Sequence, residues 1–139
     1  MQWTKDQRKI IDARDCNLLV SAAAGSGKTA VLVERIIEMI ADTAHPMDID
    51  ELLVVTFTKA AAAQMKDKIA KALEDMLQKE PENEHYMKQL NYISQANILT
   101  IDSFCYQVVK ENFHVLGIDP TIRIGEPGEI LLLQDEALE

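Results

Sequence analysis

The sequence predicts an α/β fold in which a parallel sheet is flanked by helices. Three apolar runs of strand length, residues 17–21, 52–56 and 97–101, alternate with longer segments whose apolar residues recur every three or four positions. The second run, Leu52-Leu53-Val54-Val55-Thr56, is continuous and partly β-branched, as strands of a parallel sheet tend to be. Helical segments lie between the runs, and parallel neighbours need such crossovers. A chain of 139 residues that is 47% hydrophobic and 27% charged has globular composition. At this length, about two thirds of the unfolded surface can be buried.

Each element has a local cause. Thr4 to about Asp15 reads as a short polar helix with Thr4 at its N-cap, followed by the strand Asn17–Ser21. The small-residue turn Ala22–Gly27 leads into a helix from Lys28 to about Ala41. Its apolar positions are Val31, Leu32, Ile36, Ile37 and Ile40, and His45-Pro46 breaks it. After the strand 52–56, a long helix from about Lys59 to Lys79 carries Met65, Ile69, Leu73, Met76 and Leu77 on one face. Pro81 ends it, and a helix presenting Met87, Leu90 and Ile93 follows. Beyond the strand 97–101, Ser103–Leu116 reads as helix stopped by Gly117 as C-cap. Residues 121–124 are extended, Gly125–Gly128 is a turn, and a last helix follows.

The formal charge of −9 at first argues against a nucleic-acid partner. Its distribution removes that objection. Residues 1–71 hold 10 basic and 10 acidic side chains, while residues 72–139 hold 4 and 13. Within the neutral half, Lys59, Lys66, Lys68 and Lys71 against Asp67 form a basic strip able to meet phosphates. No apolar run approaches the roughly 20 residues of a membrane span, and the polar start after Met1 carries no signal-peptide pattern. Cys16 and Cys105 are too few for a disulfide scaffold and are expected as reduced thiols in a cytoplasmic protein. His45, His85 and His114 lack metal-ligand spacing.

The sharpest motif is Ser21-Ala22-Ala23-Ala24-Gly25-Ser26-Gly27-Lys28-Thr29. It matches the P-loop pattern with Ala22 at the place of the usual first glycine. An apolar run enters it and an amphipathic helix leaves it, which is the context the mechanism needs. Small residues let backbone N–H groups turn inward around phosphates, and the helix N-terminus adds its positive end. Lys28 is then expected to reach the β- and γ-phosphates of ATP, and the Thr29 hydroxyl to ligate Mg²⁺. The sequence is read as that of a P-loop nucleotide binder.

Three further constellations are less specific. Thr4-x-x-Gln7 is a capping box, yet the Gln7 amide also matches the donor and acceptor pair of an adenine edge. Thr56-Phe57-Thr58 can be a strand end followed by an N-cap and an alanine-rich helix. Equally, Phe57 at the carboxyl end of a strand can stack on a base of single-stranded DNA, with lysines beyond it for the backbone. Thr100-Ile101-Asp102-Ser103-Phe104-Cys105 repeats the arrangement. By spacing alone it is a helix cap, with Phe104 and Cys105 in the core. Ile130–Leu133 followed by Gln134-Asp135-Glu136 imitates a Walker B strand. The preceding Pro-Gly turn, the leucines and the shared face of Ile130, Leu133 and Ala137 read instead as helix.

Taken in order, these motifs resemble the N-terminal part of superfamily 1 helicases of the UvrD/Rep type. The triple alanine, Leu116-Gly117-Ile118-Asp119-Pro120 and Arg123-Ile124-Gly125 resemble in particular the helicase–nuclease subunits of the bacterial AddAB type, as against a repair helicase without nuclease. The resemblance spans essentially the whole chain. It implies a P-loop NTPase fold: a truncated RecA-like domain 1A over residues 1–118, with the inserted helical 1B region starting at 119–139. It further implies that Gln7 reads adenine and that Ala22, Ala23, Ala24, Gly25, Ser26, Gly27, Lys28 and Thr29 hold ATP, Lys28 and Thr29 being catalytic. Thr56, Phe57, Thr58, Thr100 and Ser103 would contact DNA.

The parent activity implied is ATP-driven translocation on and unwinding of DNA during recombinational repair of double-strand breaks. Its partners would be single-stranded DNA, duplex ends and an AddB-type subunit in a heterodimer, with no membrane. The family often has His at the place of Asp102 and Glu at that of Gln64. An anionic Asp102 beside a phosphate is unfavourable, which leaves it a capping role. The family's Walker B Asp-Glu, arginine fingers, second RecA-like domain and nuclease domain have no counterpart here. The chain alone is therefore expected to bind nucleotide without efficient hydrolysis.

Overall fold

A computed structural model describes residues 2–138, which fall into two compact units divided between Ile101 and Asp102. The first unit contains α1 (Lys5–Asp12), α2 (Lys28–Ile40), a 3₁₀ turn (Ile49–Glu51), β1 (Leu53–Thr56), α3 (Lys59–Lys79), α4 (Glu84–Tyr92) and β2 (Asn97–Thr100). β2 leads without a loop into α5 (Ile101–Glu111), which is followed in the second unit by α6 (Phe113–Leu116) and α7 (Pro127–Leu138).

The architecture is α/β with a small parallel sheet. β1 and β2 pair in register from Leu53 opposite Asn97 to Thr56 opposite Thr100, with α3 and α4 forming the crossover. Side-chain caps define the starts of α3 and α4. The Thr58 hydroxyl accepts the Ala61 N–H at 3.1 Å ahead of α3, and the Asn83 amide oxygen accepts the Tyr86 N–H at 3.1 Å ahead of α4. The core of this unit is built from Val33, Ile36, Ile37 and Ile40 of α2, Ala62, Met65, Ile69 and Leu73 of α3, and Ile49, Tyr86, Ala96 and Ile98. α3 is central because its apolar stripe meets α2 and α4 as well as the sheet.

One predicted strand does not form. Residues 17–21 are neither strand nor helix, and Leu18, Leu19 and Val20 are exposed, Leu19 to 98%. A strand exists only with a ladder partner. Among the described residues β1 and β2 pair solely with each other, so the apolar run has none. α4 also differs from the expected face. Tyr86 and Gln89 are buried, with Leu90 and Ile93 packed beside them, while Met87 is exposed. Gln89 displaces Met87 because both ends of its amide are satisfied. Its oxygen accepts the Ile49 N–H at 2.7 Å and its nitrogen donates to Asp48 Oδ1 at 2.5 Å. Asp48 also accepts from the Lys88 ammonium, which holds its carboxyl below the ordinary range. In α2, Leu32 is exposed and Val33 takes its place in the core.

The expected single helix 103–116 begins earlier, at Ile101, the last residue of the first unit, and is interrupted at Asn112. The Asn112 side chain donates to the Val108 carbonyl at 2.8 Å, competing locally with helix continuation. Gly117, at φ 64°, closes α6 in the left-handed conformation its lack of a Cβ permits. Cys105 is exposed rather than in the core. The Tyr106 hydroxyl donates to the Ile122 carbonyl at 2.9 Å. Arg123 pairs with Glu129, which also accepts the Glu126 N–H at 2.9 Å, so Arg123 and that N–H lower the Glu129 carboxyl. Asp135 and Glu136 lie within α7, on a helix as their pattern predicted, not at a strand end.

Candidate functional site

The loop 21–27 and the start of α2 form a turn built on two positive-φ glycines, Gly25 at 77° and Gly27 at 84°. A side chain at either position would be strained whatever the space around it. Gly27 is the N-cap of α2 and supplies no side-chain acceptor. The first N–H to close onto the helix is that of Val31, to the Gly27 carbonyl at 2.9 Å. The N–H groups of Lys28, Thr29 and Ala30 therefore have no partner within the helix. α1 and α3 each have one first-turn N–H capped by a threonine hydroxyl, whereas α2 has no side-chain cap at the positive end of its dipole.

Lys28 folds back over this turn. Its Nζ donates to the Ala22 carbonyl at 2.7 Å and to the Ala23 carbonyl at 2.8 Å. The ammonium is thus held at the mouth of the loop, and it has a third N–H for an incoming anion. Ala22–Ser26, Lys28 and Thr29 are exposed, so an anion can approach from solvent.

α1 closes one side. The capping box at its start is present: Thr4 Oγ1 accepts the Gln7 N–H at 3.3 Å, and Gln7 Oε1 accepts the Thr4 N–H at 2.9 Å. The same Gln7 amide donates through Nε2 to the Ser26 carbonyl at 3.3 Å. Cap and loop contact therefore coexist. Oε1 keeps a second lone pair and Nε2 a second hydrogen, the pair an adenine edge requires.

An eight-residue helix is marginal alone, so packing places α1. Ile11 is fully buried, the Trp3 indole N–H donates to Glu34 at 3.3 Å, and Arg8 pairs with Glu38 of α2 at 3.0 Å. The Arg8 guanidinium is held protonated by Glu38 and Asp12. Between α1, the loop and α2 lies a cavity of about 540 Å³, bounded by Gln7, Ile10, Leu18, Val20, Ser26, Lys28 and Arg35 among others.

The strand-end residues lie elsewhere. Phe57 follows β1 and is 95% exposed, flanked by Thr56, whose hydroxyl donates to the Thr58 carbonyl at 3.0 Å, and by the N-cap Thr58. Lys59, Lys68 and Lys71 of the basic strip are exposed, and Lys66 donates to the Ser94 carbonyl at 3.1 Å. Thr56 and Thr100 stand opposite each other at the ends of β1 and β2. Asp102 lies inside the first turn of α5 rather than at its N-cap, because the strand passes straight into the helix. Ser103 follows it in the second unit. Sequence reasoning missed Arg14 and Arg35, whose guanidiniums bind carbonyls at the end of α1. No local motif marks such long-range capping.

The first unit thus sets an open, glycine-turned helix start beside a glutamine-bearing helix. The chain belongs to the family of the UvrD/REP helicase N-terminal domain, which it matches over residues 3–139. It is 54% identical over 138 residues to the ATP-dependent helicase/nuclease subunit AddA of Clostridioides difficile (strain 630), covering 99% of this chain. It is also 54% identical to the proteins of that name from Clostridium novyi (strain NT), over 100% of this chain, and Lachnoclostridium phytofermentans, over 98%. The chain spans 11%, 11% and 10% of the length of these three relatives. Among the described residues no helix is long and apolar enough to cross a membrane.

Proposed function

We propose that this chain is the ATP-binding part of a helicase/nuclease subunit that translocates on and unwinds DNA in double-strand break repair, working in the cytoplasm with an AddB-type partner. The observation that carries this reading is the Lys28 ammonium held at 2.7 and 2.8 Å from the Ala22 and Ala23 carbonyls, over a helix start with open N–H groups. Family membership supports it, as do relatives whose names state ATP dependence, helicase and nuclease.

In this reading residues 1–118 belong to a P-loop, RecA-like domain 1A, and the 1B region starts beyond them. The Ala22–Thr29 loop holds the phosphates of ATP, and Gln7 reads the adenine. Thr29 would offer its hydroxyl to Mg²⁺, which would neutralise charge on the phosphates. Lys28 stabilises the charge that develops on the transferred phosphoryl group. Phe57 stacks on a DNA base, and Thr56, Thr58, Thr100 and Ser103 contact the strand. Unwinding of a duplex with a free end by the intact protein tests the assignment. Lys28→Ala should abolish it, and normal ATP-driven unwinding by that variant would refute the reading.

A further inference from the structure

The C-terminal end of α1 is held by two arginines. A helix leaves its last four carbonyls without partners inside it. In α1 the Ala13 N–H closes onto the Lys9 carbonyl at 3.1 Å, and the carbonyls beyond have no helical donor. Arg35 of α2 donates through one terminal nitrogen to the Ile10 carbonyl at 2.6 Å, with the Ile11 carbonyl at 3.5 Å from the same nitrogen. Arg14 donates to the Ile11 carbonyl at 2.6 Å and the Ala13 carbonyl at 3.0 Å. A guanidinium at this end also meets the negative pole of the helix dipole.

The two arginines are not equivalent. Arg14 follows α1 directly and caps it locally. Arg35 comes from the helix that begins with Lys28 and Thr29, lies seven residues beyond Lys28 and borders the same cavity as Gln7 and Lys28. It is only part-exposed, whereas the other charged link between α1 and α2, Arg8 to Glu38, lies at the exposed surface where pairing is worth little. Arg35 therefore ties the far end of the glutamine-bearing helix to the phosphate-loop helix.

We propose that Arg35 is a positioning residue for base selectivity: by fixing α1 on α2 it sets where the Gln7 amide stands relative to the Ala22–Thr29 loop. The proposal rests on the nucleotide reading above. Arg35 need not touch the nucleotide. Its substitution should loosen the base-reading end of the site and leave the phosphate end intact, because Gly25, Gly27 and Lys28 are set by the loop itself.

The test is competition binding to the intact protein, with Mg²⁺ and three probes: ATP, GTP and inorganic tripolyphosphate. Wild-type protein should prefer ATP to GTP and should also bind tripolyphosphate. Arg35→Met should weaken ATP about tenfold, towards the GTP value, with tripolyphosphate unchanged. Arg35→Lys, which keeps a donor, should fall between and serves if the methionine variant does not fold. An unchanged ATP-to-GTP ratio in the folded variants overturns the proposal, as does equal weakening of all three probes. Wild-type protein that binds tripolyphosphate without preferring ATP overturns it too, while sparing the phosphate loop. Binding of none of the probes by wild type overturns the nucleotide reading itself.

Discussion

Gln7 and Ser26, 19 residues apart, are joined by a hydrogen bond of 3.3 Å from the glutamine amide nitrogen to the serine carbonyl. The bond crosses from a capped helix to a glycine-turned loop. A Cβ placed on Gly27 would lie 3.6 Å from the same amide nitrogen, so α1 sits in van der Waals reach of the turn. The two parts of the proposed nucleotide site are thus already in contact, and each can be perturbed separately.

The capping box can be broken without touching the loop. Thr4→Ala removes the acceptor for the Gln7 N–H and should cost about 1 kcal/mol of α1 stability. Hydrogen exchange should then show faster exchange of α1 amides, about fivefold, with α3 amides unaffected. Equal acceleration in both helices would mean that the cap supports the whole unit.

Lys28 makes its two contacts to exposed backbone carbonyls, so removing it should leave folding nearly unchanged. Lys28→Ala should lower ATP hydrolysis by the intact protein about a hundredfold or more, the scale of losing one electrostatic donor at a reacting centre. Hydrolysis rates and a thermal melt on the same sample separate the two effects.

Phe57, 95% exposed, contributes almost no buried area to the fold. Phe57→Ala should therefore change stability by less than about 0.5 kcal/mol. Loss of a stacked base should weaken single-stranded DNA binding by about 1–3 kcal/mol. Fluorescence anisotropy with a labelled oligonucleotide decides it, and unaltered affinity would return Phe57 to a plain strand end.

The Asp48 cluster predicts a pH effect of definite sign. The hydrogen bond from Lys88 holds the carboxyl below its ordinary 3.8, partial burial opposes this, and the Gln89 amide adds to it. A depressed carboxyl contributes stability that is complete above 3.8 and is lost as pH falls through the lowered value. Asp48→Asn should thus be less stable than wild type at neutral pH, with the difference shrinking in acid below 3.8. Chemical denaturation across that range measures the gap, and a constant gap would exclude the linkage. Gln89→Leu, which strands the Ile49 N–H, should cost about 1–3 kcal/mol at any pH.

What the sequence determined by itself is whatever has a local chemical cause. The Thr4 and Thr58 caps, the Gly25 and Gly27 turn, the stop at Gly117, the apolar stripe of α3 and the helical state of residues 130–136 all follow from side chains within a few positions of one another. The motifs also carried the family, because their order needs no coordinates. Tertiary structure alone decided what depends on a distant partner. Residues 17–21 have the composition of a strand but no neighbouring strand among the described residues. α4 buries Gln89 in place of Met87 because Asp48 and Ile49, about forty positions away, satisfy its amide. Arg35 became visible only when folding brought it to the carbonyls of α1. Hydrophobicity and propensity are carried by each segment, whereas a ladder partner, a satisfied buried amide and a capped helix end are properties of pairs of segments.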